Sequence, residues 1–447
     1  MKLDENSSNK VAMPKSWVEL EVKDAVVNIS ITDRKIPQKL YLESGAFPVI
    51  DQGKNYVGGY TNDNSMLIDC ELPVIIFGDH TKAVKRANQR FAAGADGIKV
   101  LKPLPFLEQG FAFYTLLNAA ARLKSKGYAR HFQEFSKLKI KIPPLPEQIR
   151  IVAKIEELFS ELDKGVENLH TAKQQLKVYR QALLKHAFEG KLTGATESST
   201  WKTLPLGTLL EFLTSGSRGW ANYYADEGDI FIRAQNIKHD WLDLSDIAFV
   251  SLPERAEGLR TRVRKGDLLI TITGANVTKS ALVETDPGTA YVSQHVALCR
   301  PTEAILPKYL YWFVIAETAG RKQLNDMAYG AGKPGLNLEN IRSVIVPLPE
   351  LQQQEEVVEL IEDKLSVIDQ LENTITTSLQ QAEALRQSIL KKAFSGQLVP
   401  QNPEDEPASV LLERIRAERE AQPVAKRPRK PTATAASTPE VVTEVKA

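Results

Sequence analysis

The chain repeats itself, and a repeat restricts its fold more than any single motif does, because each copy must build the same kind of unit. Pro-Leu-Pro-Glu occurs at 144–147 and again at 347–350, an offset of 203, each time after a β-like run, KIKIP and SVIVP. Downstream, LLKHAFEGKL (183–192) answers ILKKAFSGQL (389–398) at an offset of 206, so three residues enter the second copy between these landmarks, most simply Leu351 to Gln353. Upstream, Trp17 answers Trp201 at an offset of 184, which leaves about 19 further residues in the second copy before its Pro-Leu-Pro-Glu. LPVIIFGDHT (72–81) sits where GDLLITITGAN (266–276) sits, and ADGIKVLKP (95–103) where SQHVALCRP (293–301) sits.

From about 147 to 189 the chain has no proline and one glycine, Gly165, while Ile155, Leu158, Leu162, Leu169, Leu176, Tyr179 and Leu183 follow a heptad-like spacing. Ile361, Ile368, Leu371, Ile375, Leu385 and Ile389 repeat that stripe, and Gly190 and Gly396 stand where each helix would end. Two helices of about 40 residues, ~60 Å long at 1.5 Å per residue, outrun a globule of ~130 residues and are expected to pair. Helix one carries the chain from the first globular segment to the second and helix two starts at the second, so pairing makes them antiparallel about a pseudo-two-fold axis. Two separate helices, each packed on its own segment, are the alternative. The globular segments alternate β-rich runs (FPVI, LPVIIF, IKVL; DIFI, DLLITIT, YVSQHVALC) with turns, and each ends in a helical stretch, FAFYTLLNAAARLKSKG or YLYWFVIAETAGRKQLND. The expected class is α+β, with a mixed, twisted sheet in each of two similar heads separated by a long antiparallel two-helix coiled coil. Expected boundaries are 1–143 and 195–346 for the heads, 144–194 and 347–398 for the helices, and 399–447 for a tail. That tail holds one short amphipathic helix (408–420) and then a Pro-rich, polar stretch expected to be disordered.

Fifty-seven Lys and Arg nearly balance 56 Asp and Glu, so a net charge of +1 carries no whole-chain signal for nucleic acid and any basic surface must be local. At 43% apolar and 25% charged residues the chain is of ordinary globular composition, which excludes collagen and wholesale disorder. Cys70 and Cys299 lie far apart in apolar runs, which suits reduced, buried thiols of a cytosolic protein and argues against a disulfide or metal framework. A polar N-terminus without an apolar core, and no stretch of ~18 uncharged apolar residues, lead us to expect a soluble, cytoplasmic chain.

A search for catalytic constellations returns nothing. YGAGKPG (329–335) lacks the Ser or Thr after Lys333 that a phosphate loop needs, and the six histidines have no metal-ligand spacing. Asp79-His80 has no serine or cysteine tied to it by any motif and reads as a loop pair making polar contacts. The pattern is that of a binder. In head one, His80, Thr81, Lys82, Lys85, Arg86 and Arg90 form a locally basic run, joined by Arg130 in GYARH. In head two, Arg233, Gln235, Asn236 and Lys238 follow a β run, Thr273, Asn276, Thr278 and Lys279 form a polar loop, and Gln294, His295 and Lys333 complete the set. Arg, Lys, Asn and Gln on loops are the side chains that read guanine and adenine edges, while Lys, Thr and Ser suit phosphates. Singly each is an ordinary solvated charge; their recurrence at corresponding places in both copies points to a DNA-facing surface.

The order head, helix, head, helix, with the Pro-Leu-Pro-Glu entries, the helix starts QIRIV (148–152) and QEEVV (354–358), and the Ala-Phe-x-Gly-x-Leu exits at 187–192 and 393–398, resembles the specificity (S) subunit of type I restriction-modification systems, the HsdS family. GDLLITITGAN, YVSQHVALCRP, GKPGLNLENIRSVIVPLPELQQQ and NPEDEPASVLLERIRAERE look like phrases of that family, so the resemblance spans residues 14 to 420. It implies that each head is a target recognition domain reading one half of a bipartite site in double-stranded DNA, and that the helices set the spacer and dock two modification (methyltransferase) subunits. Two restriction (translocase and nuclease) subunits would complete the complex. S-adenosylmethionine, ATP and Mg would then sit on the partners, with no cofactor and no catalysis in this chain. GYARH in head one departs from the YGAGKPG of head two. A coiled-coil scaffold or a DNA-binding protein outside restriction systems is the alternative function; it would account for the helices but not for two similar heads with polar loops.

Overall fold

The computed structural model describes residues 12–31, 34–94, 97–124, 129–193, 201–253, 260–330 and 334–421. The chain divides into two compact units, Met1–Asp163 with Glu383–Ala447, and Lys164–Ala382. In the first, the elements in chain order are β1 (Val18–Glu21), α1 (Val22–Ala25), β2 (Val26–Ile29), β3 (Lys35–Ile36), β4 (Phe47–Ile50), β5 (Gly59–Thr61), β6 (Val74–Gly78), β7 (Val84–Ala87), β8 (Ala92–Gly94) and β9 (Ile98–Pro103). They are followed by α2 (Gln109–Ala121), α3 (Phe132–Phe135), β10 (Lys139–Ile142) and the long α4 (Leu145–Phe188), whose residues to Asp163 belong to this unit.

Strands β2-β9-β6-β7 form an antiparallel sheet, β3-β8-β4-β5 a mixed one with β8 parallel to both β3 and β4, and β1 pairs antiparallel with β10. The run VIIFG builds β6 because it is buried on both faces, as a central strand must be. Its alternating side chains feed two cores: Ile75 and Phe77 pack with α2 residues such as Phe111 and Leu116, while Val74 and Ile76 pack with Ile50, Phe91 and Ala93 toward the second sheet. Asp79, just past β6, is a buried cap: its Oδ1 accepts from Phe132 N–H (2.7 Å) and its carbonyl from His131 N–H (2.8 Å).

The second unit repeats the plan with β11 (Lys202–Pro205), β12 (Leu210–Ser215), β13 (Tyr224–Ala225), β14 (Asp229–Ile232), β15 (Ala248–Val250), β16 (Leu268–Thr271), β17 (Ser280–Leu282), β18 (Ala290–Val292), β19 (Val296–Pro301), α5 (Pro307–Ile315), α6 (Gly320–Met327), α7 (Leu338–Arg342), β20 (Ile345–Leu348) and α8 (Leu351–Ala393). Sheets β12-β19-β16-β17 and β13-β15-β14-β18, with β14 parallel to β18, answer the pair in the first unit. Expected strands FPVI, DIFI, LPVIIF and IKVL are all present, but YVSQHVALC is two strands, and Ser293, Gln294 and His295 form the turn between them.

The two copies register differently from the Pro-Leu-Pro-Glu reading. Strand β10 answers β20, and α4 answers α8, both at an offset of 206. Gln148 donates through Nε2 to Phe106 O and Pro143 O and accepts from Glu108 N–H; Gln354 makes the same three bonds with Ala304 O, Pro349 O and Leu306 N–H. The shared tetrapeptide is therefore displaced: Leu145, Pro146 and Glu147 open α4, whereas Pro347 and Leu348 end a strand. No residues enter at Leu351 to Gln353. Instead the offset rises from 198 (β9 to β19) to 206 (α3 to α7), and α6, eight residues long, lies in that interval. The single helical stretch expected over 309–326 is thus two helices, broken at Ala316, where the backbone turns extended.

Each unit shows antiparallel helix pairing. In the first, Arg386 pairs with Asp163 and lies over the Phe159 ring, while Ile155 and Ile151, earlier in α4, share a core with Ile389 and Leu390, later in α8, and with Phe394 just past its end. In the second, Arg180 pairs with Asp369, and Leu183, Leu184 and Phe188, further along α4, share a core with Ile361, Leu365 and Ile368, earlier in α8. Tyr179, Leu371 and Leu385, expected in the stripe, are instead 51%, 46% and 52% exposed. Gly190 and Gly396 end the helices at φ +68° and +77°, and the N–H groups of Lys191 and Gln397 return to His186 O and Lys392 O, both at 2.9 Å. Helix α9 (Ala408–Ala421) adds Leu412 to the first unit's core, and its Ala408 N–H donates to Ser16 O (3.0 Å). The polar stretch after Ala421 lies outside the described residues.

Both cysteines are free. Cys299 is buried in β19 as expected, but Cys70 is only part-buried, in the loop before β6. Burial raises both thiols above their ordinary pKa. Among the described residues no helix is long and apolar enough to cross a membrane, and no cluster of His, Cys, Asp or Glu could hold a metal ion.

Candidate nucleic-acid interface

Three loops converge at the same ends of the sheets in both heads: the one following β4 or β14, the one following β6 or β16, and the turn between β8 and β9 or between β18 and β19. In head one these supply Gln52, His80 with Thr81, and Gly97. The Gln52 Oε1 accepts from His80 N–H (3.2 Å), and its carbonyl accepts from the Thr81 hydroxyl (2.6 Å). Gly97 has φ +76°, and a Cβ there would stand 2.7 Å from His80 Cδ2 and 2.8 Å from Gln52 Oε1, so only glycine lets the three loops meet. Ala129 O lies 3.3 Å from His80 Nδ1 and brings the exposed Arg130 to the same place. Lys82, at φ +61°, turns its ammonium to Leu123 O (3.2 Å).

Three basic residues of the expected run do not reach this surface. On β7, Lys85 and Arg86 point to opposite faces of one strand. Lys85 is 7% exposed and donates to Asp51 O (2.7 Å) and Asn55 O (2.5 Å), fastening the loop after β4; desolvation lowers its pKa. Arg86 shares its face with Val84, which packs into the helix-side core. Arg90 is exposed, but it lies over the ring of Phe47, at the far end of β4 from Gln52, and bonds Asn64.

Head two brings more of its expected residues together. Arg233, Gln235, Gln294 and His295 line one cavity of about 340 Å³ whose wall is aromatic: Trp220, Tyr224 and Phe231. The Thr273 hydroxyl meets His295 Nδ1, and Asn276 Nδ2 donates to Ala234 O (3.2 Å), so both flank it. Asp246 holds the rim: its Oδ2 accepts from Gln235 Nε2 (2.9 Å) and lies 3.4 Å from Arg233 Nη2, which also donates to Asp246 O. The loop bearing Asp246 is pinned by Asp243, whose carboxyl the hydroxyl and N–H of Ser245 hold below the ordinary range.

Asn236, expected among the reading residues, is instead a buried cap, bonded to Arg233 N–H, Asp243 O and Asp246 O. Thr278, buried at φ +70°, donates to Asn325 of α6, and Lys279 pairs with Asp240, which also holds the buried Arg321. Lys238 is exposed beside this loop. Lys333 lies outside the described residues. Gln52, Trp220, Ser293 and Asp246 were missed. The repeat could have found Gln52, because the pairings Val49 to Ala92 and Ile230 to Ala290 put it where head two has Arg233.

A family model described as the type I restriction modification DNA specificity domain matches residues 14–172 and 198–381, two stretches whose starts are 184 apart, the offset of Trp17 and Trp201. The specificity subunit of the type I restriction enzyme EcoKI of Escherichia coli K12 is 28% identical over 455 residues, covering 92% of this chain and 97% of its own length. That of the StySPI enzyme of Salmonella potsdam is 26% identical, covering 92% and 97%. Among solved structures, the HsdS subunit from Thermoanaerobacter tengcongensis superimposes with a TM-score of 0.53 at 19% identity over 86% of this chain and 98% of its own. A chain of a type I R-M system solved for its assembly and conformational transition reaches 0.64 at 18% identity, over 87% and 100%.

Proposed function

The chain belongs to the type I restriction-modification DNA specificity family, and from that premise we propose that each head reads one half of a bipartite DNA site while the paired helices fix the gap between the halves. The observation that carries this is that polar loops meet at matching sheet ends in both heads, with Gln52, His80 and Arg130 in head one and Arg233, Gln235, Gln294 and His295 in head two. Amides and imidazoles mixed with arginine suit base edges in a major groove, and Thr81 and Lys82 suit phosphates. The chain performs no chemistry itself. Modification subunits docked on the helices bind S-adenosylmethionine and methylate adenine, and restriction subunits bring ATP- and Mg-dependent translocation and cleavage.

Helix length then acts as a ruler, since one DNA turn is ~34 Å and half-site spacing follows the distance between reading elements. The test maps methylated adenines in host DNA with and without this chain, then repeats the map after residues 15–143 are exchanged for another family head, and after a few residues are inserted near Gly165. The exchange is expected to change one half-site only, and the insertion to change the spacer only. An unchanged spacer after insertion, or both half-sites altered by one exchange, refutes the reading.

A further inference from the structure

The head-two cavity has features that reading a groove edge does not need. Its wall is a packed aromatic group: Trp220, 5% exposed, stacks on Phe231 with ring centroids 5.6 Å apart, and Tyr224 meets Phe231 edge-on at 5.6 Å. Ser293 also lines it, 5% exposed, and its Oγ has no hydrogen-bond partner; neither has Arg233 Nε. A buried hydroxyl without a partner is costly unless a ligand supplies one. The turn that carries Ser293 packs backbone to backbone on Gly216, where a Cβ would lie 2.4 Å from the Ser293 carbonyl carbon. At the rim, Gln235 and Gln294 each use Nε2 internally, toward Asp246 and His295, leaving the Oε1 acceptors uncommitted.

At about 340 Å³ the space stands at the small end of ligand cavities, ~300–1,000 Å³, enough for one heterocycle. In head one, side chains crowd the strand that answers β18. A Cβ on Gly94, which answers Val292, would lie 2.4 Å from Tyr41 Oη and 2.5 Å from Asp51 Cβ, so these side chains overlie the strand.

We infer that this cavity seats one nucleobase of the half-site read by head two, turned out of the duplex stack against the Trp220, Tyr224 and Phe231 wall, its edge met by Ser293 Oγ and the amides of Gln235 and Gln294. Aromatic surface and edge hydrogen bonds are what proteins that extrude a base use to repay its lost pairing and stacking. The inference rests on the DNA-reading function and goes beyond it.

The experiment uses the methyltransferase complex assembled with this chain and duplexes carrying its mapped site, with a single mismatch placed at each position in turn. Extruding an unpaired base is easier, so a mismatch at the seated base is expected to tighten binding about tenfold, at one position of one half-site. Ser293→Ala is expected to reduce that gain below about threefold while assembling with the methyltransferase and retaining nonspecific DNA affinity, and Gln294→Ala to reduce the gain likewise. Groove-edge reading predicts the opposite sign. If the complex prefers its site but no mismatch in either half strengthens binding, or if both variants keep the gain, the base seat is refuted and the reading function stands. If the complex shows no sequence preference, both fall.

Discussion

Replacing Gln148 by Ala is a direct test of what joins head one to its helix. The Gln148 amide is fully buried and makes three bonds, at 2.9 Å to Phe106 O, 3.0 Å to Pro143 O and 2.8 Å from Glu108 N–H. Each neutral bond contributes about 0.5–1.5 kcal/mol net, and a buried partner left unsatisfied costs about 1–3 kcal/mol. Phe106 and Pro143 are buried and shut out replacement water, so the loss should reach about 2–4 kcal/mol. Gln354→Ala removes the same bonds from head two, but Ala304 is exposed and its carbonyl can rehydrate, so that loss should be smaller, about 1–3 kcal/mol. Because two units need not unfold together, native-state hydrogen exchange at the amides of Glu108 and Leu306 is the proper assay. The Glu108 amide should lose more protection in Gln148→Ala than the Leu306 amide loses in Gln354→Ala. A loss under 1 kcal/mol at Gln148, or the reverse order, would refute the argument.

Three further outcomes are expected. Burial pushes the Glu147 carboxyl above its ordinary range, against the bonds it accepts from Trp17 and Gln401. The folded state therefore holds this proton more tightly than the unfolded state, and stability from this group falls as pH rises from ~4.3 through the raised folded value. Urea denaturation of Glu147→Gln should show it gaining on the native chain between pH 4 and pH 7; a constant difference would exclude the linkage. Gly165 lies inside α4 with no atom within 4 Å of an added Cβ, so Gly165→Ala should stabilise by about 0.5–1 kcal/mol in thermal unfolding, and any loss contradicts that open surface. Arg180→Ala, breaking a part-exposed pair with Asp369, should cost about 0.2–1 kcal/mol, whereas Ile368→Ala, at 2% exposure, should cost about 2–5 kcal/mol by the same measurement. Equal costs would mean that charge and not burial holds the helices together.

How much of this was legible depended on whether a residue's environment is fixed locally. Strands FPVI and DIFI, the two long helices and their glycine stops follow from patterns a few residues wide, and all are present. The register of the repeat is not local. Pro-Leu-Pro-Glu is the same string in both copies, yet the fold equates Gln148 with Gln354, because the bonds that matter run to loops about 40 to 50 residues away. The eight-residue α6 could hide inside an apparently continuous helical stretch for a similar reason: no proline marks its break at Ala316, and the chain folds back so closely that a Cβ on Gly320 would lie 2.8 Å from both Phe313 O and Val314 Cα, a long-range approach that the string does not announce.

Charge was the least legible feature, and the reason bears on how such a surface should be sought. A basic run on a strand cannot lie on one face, since neighbours alternate; of Lys85 and Arg86, one fastens the β4 loop and the other lies on the helix-side face. The residues that do converge come from turns, where alternation ends, and they are mostly uncharged: Gln52, Thr81, Thr273, Gln294. Where arginine joins them, as Arg233 does, an acid stands beside it and takes up part of its donor capacity. A reading face built from amides and neutralised arginine adds little to net charge, which is why a total of +1 is compatible with a DNA partner. It also predicts where specificity and affinity part. Gln294→Ala should alter which base is preferred with little change in salt dependence, whereas Lys82→Ala should weaken all sequences and lower the slope of log affinity against log salt by about 1.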